Sequence, residues 1–533
     1  MGRARHFTMK RLNLSLSALV LINFLLRLFV AVRPLKYIDG LTIPDDAYLA
    51  LTIARNIAGG LGPLYSLDYT NGFQPLYVFL MVPVYWLFPR DLIMPVHISL
   101  VILTLFDTAT LYLIYKLVSR FTESTVAPLF AAAAWIFNPA AIRTANNGLE
   151  TSISMFFIVL TYFFYRKYRL NERDDKSWQT FLAFGMIVGL AMLARIDNII
   201  LLCAFLTDLI ISSIRNRRLG LLTISRAFLI VSGAAIVYLP WLAYSHHYTG
   251  GFIPISGQAV RFMSLSTVNH ASTWANWYSF SLSEAINAVA RGTGIYLAVI
   301  VLLSGLIFLQ QGRNAPGLIL SAFRPHNSVL IYSLALFVSY AFIVFGTGYF
   351  SRYLYPITFL VILYLASIVG LFEKVAAGGK LKIISMVFVG ALIILSSLLR
   401  PGFRALYFSH DTTSSGYMNL GLWARDTFPD GTTIGSSQTG ALGYFANNLR
   451  VINLDGVVNK KCFESLQQRR NMEYIRDTGI EYVVGWTVNF DFIKRESSNF
   501  KQDDLILVNK INGFQSWWND WYLYKVNYAR ARQ

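Results

Sequence analysis

The chain has 533 residues, 55% hydrophobic and only 14% charged, with a mean hydropathy of +0.48. Soluble domains carry about 25% charged residues, so a water-soluble protein with a single anchor is excluded and a multi-span membrane protein is expected. The net charge of +18 does not call for nucleic acid, because most Lys and Arg sit at the ends of apolar segments, where membrane topology uses them.

Leu12–Val32 is too long and too rich in Leu, Ile, Val and Phe for a signal segment, and no small-residue cleavage site follows it. It is read as a retained first span. Spans need about 20 apolar residues, and the further candidates are 95–116, 125–142, 150–168, 178–194, 198–214, 222–243, 292–310, 327–346, 354–373 and 381–399, so about 11 in all with 12–33. Pro75–Phe88 is apolar but short, with Pro83 inside it, and is read as a re-entrant or interfacial helix. Charge supports that choice. With the N-terminus inside, Lys116-Arg120, Arg166-Lys167-Arg169, Arg215-Arg217 and Arg313-Arg324 all fall on the inner side. A twelfth span would invert everything downstream. The loop 34–94, the long loop 244–291, the turn 347–353 and the tail then lie outside.

After about residue 402 the character changes. Amphipathic segments (Tyr417–Phe428, Met472–Thr478) alternate with β-rich runs at Thr432–Ser436, Val451–Leu454, Tyr482–Trp486 and Leu505–Val508. That pattern predicts a small α/β domain. The expected division is 1–400, a transmembrane catalytic domain with its first outer loop at 34–94, and 401–533, an extracytoplasmic α/β domain. Cys203 falls in a span and Cys462 in the tail, so no disulfide joins them. There is no metal box, no phosphate loop with a lysine and no repeat of fixed period.

The leading candidate for chemistry is Pro44-Asp45-Asp46-Ala47-Tyr48, in the loop after the first span. Adjacent carboxylates at a membrane surface are costly unless they serve a function, and general-base work is one such function. The same residues also make a good helix start, with an acid as N-cap. Arg352, in Arg352-Tyr353-Leu354-Tyr355-Pro356, stands just outside the tenth span, against the positive-inside trend. Its forked guanidinium suits a lipid phosphate, or it anchors beside interfacial tyrosines. Glu150, in Asn146-Asn147-Gly148-Leu149-Glu150-Thr151, is a substrate or metal ligand or a first-turn acid. Arg195 and Asp197 read as a local ion pair. His246 and His247 are adjacent and share no helix face, which leaves sugar or phosphate contact at His247, or no role. Asn71, Gln74 and Tyr77 suit hydroxyl recognition, or they satisfy irregular backbone at membrane depth. Asn23 and Arg27 in the first span, and Asp107 in the second, face the bundle interior.

Taken in order, these segments resemble a known family. The acidic pair followed by Tyr48, Ala54, Arg55 and Asn56 resembles the first-loop region of the GT-C membrane glycosyltransferases. Thr70-Asn71-Gly72-Phe73-Gln74-Pro75-Leu76-Tyr77 resembles their segment before the juxtamembrane helix. Asn147-Gly148-Leu149-Glu150-Thr151 and Arg352-Tyr353-Leu354-Tyr355-Pro356 are similar as well. The nearest branches are the protein O-mannosyltransferase/aminoarabinose transferase group and the arabinofuranosyltransferases, and the resemblance covers about residues 12–400. The acidic pair is Asp-Asp rather than Asp-Glu. Gln74-Pro75 stands where the aminoarabinose branch has Lys-Pro-Pro, so sugar and acceptor do not carry over.

The resemblance implies an α-helical polytopic membrane protein that moves a sugar from a polyprenyl-phosphate donor to an acceptor hydroxyl with inversion. The acceptor is a glycan, lipid or protein, and the reaction occurs at the outer face of the cytoplasmic membrane. It implies Asp45 as the base and Asp46 as a residue positioning acceptor or a divalent cation. Arg352 and Tyr353 would hold the donor phosphate, with Tyr48, Arg55, Asn71, Gln74, Asn147, Glu150 and His247 near substrate. The rival readings are a transporter or flippase of lipid-linked sugar and a lipid-intermediate ligase. Transporters show paired interrupted helices in two halves, whereas this sequence shows one.

Overall fold

The computed structural model describes residues 2–171, 176–217, 220–271, 274–344, 350–376, 380–410, 416–511 and 520–529. Part of the turn expected at 347–353 lies outside the described residues.

The bundle is a multi-pass assembly of apolar helices. Five described segments are long and apolar enough to cross a membrane: Met94–Phe121, Ile196–Arg215, Leu221–Thr249, Tyr278–Val344 and Ile357–Val375. A sixth arises if Ile383–Leu398 and Pro401–Phe408, bent by 61°, count together. Four shorter apolar helices, Ser15–Ala31, Pro75–Leu87, Ala127–Ile136 and Trp178–Ala194, complete the set. Small residues let helices approach closely, as usual between membrane helices. Gly185 lies so near the helix Leu221–Thr249 that a Cβ there would meet the Ile230 carbonyl oxygen at 2.1 Å.

Pro75–Leu87 is 13 residues, roughly 20 Å at the helical rise. A hydrocarbon core is about 30 Å thick. The segment expected as one span at 125–142 is broken instead. Ala127–Ile136 ends, and Pro139–Ala145 starts afresh. Pro139 lacks the N–H needed to continue a helix. Asn138 caps the new one, its Oδ1 accepting from Ala140 N at 2.8 Å and Ala141 N at 3.1 Å. Arg27 also reaches the carbonyls at the break, donating to Ile136 O (2.8 Å) and Trp135 O (3.1 Å). Arg27 is fully buried, and its charge is balanced by Asp107 at 2.7 Å, which Asn23 also contacts at 3.0 Å. The three intramembrane polar residues thus clamp a helix break.

The tail builds a five-stranded sheet. A small hairpin in the loop 34–94 supplies β1 (Leu64–Tyr65) and β2 (Asp68–Tyr69). The tail supplies β3 (Thr433–Ser436), β4 (Arg450–Asn453), β5 (Tyr482–Gly485), β6 (Leu505–Ile511) and β7 (Trp521–Val526). The order is β4-β3-β5-β7-β6. β3 is parallel to both β4 and β5, while β7 is antiparallel to β5 and β6. Apolar clusters cover both faces. Ile452, Leu454, Cys462, Ile475 and Val483 belong to one cluster, and Leu420, Ile434, Val484 and Trp521 to the other. Parallel strands need helical crossovers, and helices at Gly440–Phe445, Lys460–Gln467 and Asn471–Asp477 provide them.

The loop 34–94 is keyed into this tail. Tyr65 donates to Thr439 O (2.8 Å), the hydroxyls of Tyr85 and Tyr444 meet at 3.0 Å, and Asp68 pairs with Lys461 at 2.8 Å.

Candidate active site

A cavity of about 800 Å³ lies where the loop 34–94, the bundle and the tail meet. Its walls include Asp45, Asp46, Gln74, Tyr77, Glu150, Arg195, Arg352 and Tyr353 from the first 400 residues. The tail adds Tyr417, Ser437, Gln438, Asp455, Trp486 and Asn489.

Asp45 and Asp46 open the helix Asp45–Ala58, but neither caps it, since the N-cap is Pro44. Their side chains part company. Asp45 is buried, and both of its oxygens accept backbone N–H groups from the start of the helix Gly440–Phe445. Oδ2 takes Gly440 N and Oδ1 takes Ala441 N, each at 2.8 Å. Those amides have no partner within their own helix. Burial pushes the Asp45 carboxyl up to about 7 against the pull of the two amides, with Asp46 and Asp39 adding to the rise. Asp46 is open to the cavity and its Oδ2 lies 3.1 Å from Arg352 Nη2.

Arg352 forms part of a cationic cluster. Its guanidinium and that of Arg195 lie over the Tyr353 ring, at 5.1 and 5.0 Å from the centroid. Tyr340 stacks on Tyr353 at 4.9 Å. Arg195 binds Asp197 at 2.8 Å, the local pair expected, and also reaches Glu150 at 2.5 Å. Glu150 is therefore neutralised by an arginine on the cavity wall.

Of the residues expected near substrate, Gln74 and Glu150 line the cavity and Tyr48, Arg55, Asn71, Asn147 and His247 do not. Tyr48 is buried behind the wall, donating to Asp39 at 2.7 Å. Arg55 donates to Tyr444 O and lies over that ring. Asn71 ties the loop to the end of a long helix through Ser245 Oγ (2.9 Å) and Ile255 N (3.0 Å). Asn147 organises its own turn, its Oδ1 accepting Leu149 N at 2.9 Å. His247 is exposed beside Tyr248.

The tail residues were not visible as site residues in the sequence. The only signal was positional: Ser437, Asp455 and Trp486 each follow a strand within two residues. Asp455 is half-buried, with Oδ1 accepting Val457 N at 3.0 Å. Burial pushes its carboxyl up to about 7 despite that amide, and the charge of Asp46 adds to the rise. Among the described residues no three His, Cys, Asp or Glu side chains converge as metal ligands would.

Along its whole length the chain superposes on a solved structure of ArnT from Cupriavidus metallidurans bound to undecaprenyl phosphate. The TM-score is 0.59 at 12% identity, covering 97% of this chain and 98% of that one. The chain has the GT-C fold. That is the architecture of the polytopic membrane glycosyltransferases the sequence resembles. The oligosaccharyltransferase AglB from Archaeoglobus fulgidus, solved with an inhibitory peptide and a dolichol-phosphate, matches with TM-score 0.53 at 13% identity, over 96% of this chain and 74% of that one. Residues 75–244 match the family model described as dolichyl-phosphate-mannose-protein mannosyltransferase. Residues 406–528 match a domain of unknown function. No curated protein matches the chain. The cavity joins the part covered by the mannosyltransferase model to the part whose family has no assigned role.

Proposed function

We propose that the protein transfers a sugar from a polyprenyl-phosphate donor to an acceptor hydroxyl, with inversion, at the outer face of the cytoplasmic membrane. The observation that carries this reading is the contact between Asp46 and Arg352 at the cavity. A donor phosphate would compete for Arg352 through two parallel hydrogen bonds. Binding it would release Asp46 next to the anomeric carbon. The freed carboxylate takes the acceptor's proton, the acceptor oxygen attacks C1, and the C1–O bond to phosphate breaks. Lipid phosphate leaves as an anion held by Arg352. ArnT and AglB were solved with lipid phosphates, which supports the donor class.

The resemblance implies Asp45 as the base. The geometry favours Asp46, because both oxygens of Asp45 already hold the tail in place. On this reading Asp45 builds the site and Asp46 works in it. The deciding assay incubates purified protein with a radiolabelled polyprenyl-phosphate sugar and an envelope extract. Label should move to an acceptor; label that stays on the lipid overturns the reading. Arg352→Lys keeps the charge but loses the fork. Lipid-phosphate affinity should fall on the order of tenfold, as expected for one charge-assisted hydrogen bond. Affinity equal to wild type would reduce Arg352 to an anchor.

The remaining topology follows from the charge pattern: 11 spans, a boundary near residue 400, and the α/β tail outside. Asn447 is exposed on the tail, Cys462 is buried and Cys203 lies in a predicted span. A cysteine introduced at Asn447 should therefore react with an impermeant maleimide in intact cells. Labelling that requires permeabilisation would invert the topology.

A further inference from the structure

The tail's contribution to the cavity has a pattern of its own. Ser437 and Gln438 directly follow β3, Asp455, Val457 and Val458 follow β4, and Trp486, Val488 and Asn489 follow β5. These are the carboxyl ends of the three mutually parallel strands. The chain runs from β3 out to β4 on one side, then crosses back to β5 on the other. In open α/β sheets, ligands bind in the crevice outside the carboxyl ends, where the winding direction reverses. Here that crevice opens into the cavity holding Asp46 and Arg352.

Its chemistry is specific. The three loops bring to the lining one hydroxyl, two amides, one carboxylate and one indole, and no Lys or Arg. Ser437 is only 8% exposed, yet its Oγ has no hydrogen-bond partner. Leaving such a group unpaired is costly, and a ligand hydroxyl would satisfy it. With no Lys or Arg from these loops, the crevice offers no cation to pair with an anionic ligand. A neutral polyol is favoured, because its hydroxyls donate to a carboxylate and exchange hydrogen bonds with the amides and with Ser437.

We propose that the crevice at the carboxyl ends of β3, β4 and β5 is the acceptor subsite and that it takes a neutral sugar, so that the enzyme joins sugar to sugar. The proposal rests on the glycosyl-transfer reading above. The domain of unknown function would then present an acceptor hydroxyl to the carboxylate across the cavity.

The test uses the full-length protein in lipid nanodiscs, because sugar-headed detergents would compete. Saturation-transfer NMR is recorded with a panel of methyl hexosides and methyl pentosides, and with an N-acetylated serine peptide amide. Undecaprenyl phosphate binding is measured in parallel. At least one glycoside should bind wild type, and Ser437→Ala and Asp455→Asn should each weaken it about tenfold or more, with lipid binding retained. Retained lipid binding also shows that a variant is folded; should Asp455→Asn lose it, Ser437→Ala alone decides. The subsite is overturned if no glycoside binds, if only the peptide binds, or if glycoside binding ignores the substitutions. A wild-type protein that binds glycoside but not undecaprenyl phosphate leaves the subsite standing and removes the donor reading.

Discussion

Asp46→Asn should leave a protein that folds and binds lipid phosphate but has lost at least about a hundredfold in transfer rate, the scale of a general base. The side chain is partly exposed and its one described ion pair is with Arg352. The pair is part-buried, but an amide oxygen at this position can still accept from Arg352, so thermal stability should change little. Donor affinity should hold or rise, because Arg352 no longer has a carboxylate to leave before it takes phosphate. This combination separates a base from a scaffold residue. A cap or structural acid would lower the melting temperature and the rate together. If Asp46→Asn transfers sugar at the wild-type rate, the assignment of the base moves back to Asp45.

Much of this was legible in the sequence because it rests on local rules. Four of the five strands in the tail sheet were marked by short β-rich runs, and they fall within a residue or two of β3, β4 and β5 and at the start of β6. β7 was not, because Trp521–Val526 mixes Lys525 with aromatics and shows no clean alternation. The break at Asn138 was signalled by the Asn138-Pro139 dipeptide, yet the run 125–142 was apolar enough to read as continuous. The loop holding the acidic pair was found, but the grip of Asp45 on the tail was not. That depends on Gly440 and Ala441, almost 400 residues away, and no local pattern reports such a contact. Tyr48, Arg55 and Asn71 were singled out for good reason, since each is fixed by hydrogen bonds. Those bonds hold the cavity's frame and do not reach its interior.

The same contact holds the two parts of the cavity wall together. Two walls of the cavity come from segments that meet through the loop 34–94. A donor bound by the bundle and an acceptor bound by the tail could react only if that seam is rigid. Effective positioning contributes several kcal/mol to such reactions, so loosening the seam should cost rate as well as stability.

Gly440→Ala is the sharpest probe of that seam. A Cβ at residue 440 would sit 1.9 Å from the Asp45 carbonyl oxygen and 2.9 Å from its Cγ. The nearest obstacle is backbone at the start of a buried helix, so no side-chain rotation relieves it. The helix Gly440–Phe445 must withdraw, and both amides then lose the Asp45 carboxylate. Orphaned buried donors cost about 1–3 kcal/mol each, so the seam should weaken by several kcal/mol. Asp45→Ala should act in the same direction without the steric clash, and its effect should be smaller. Hydrogen exchange should show faster opening at residues 440–445 in both variants, with the span Met94–Phe121 unchanged. Transfer should fall in both, while lipid-phosphate binding through Arg352 persists. If Asp45→Ala abolishes transfer with exchange at 440–445 unaltered, Asp45 acts on substrate directly and its grip on the tail is incidental.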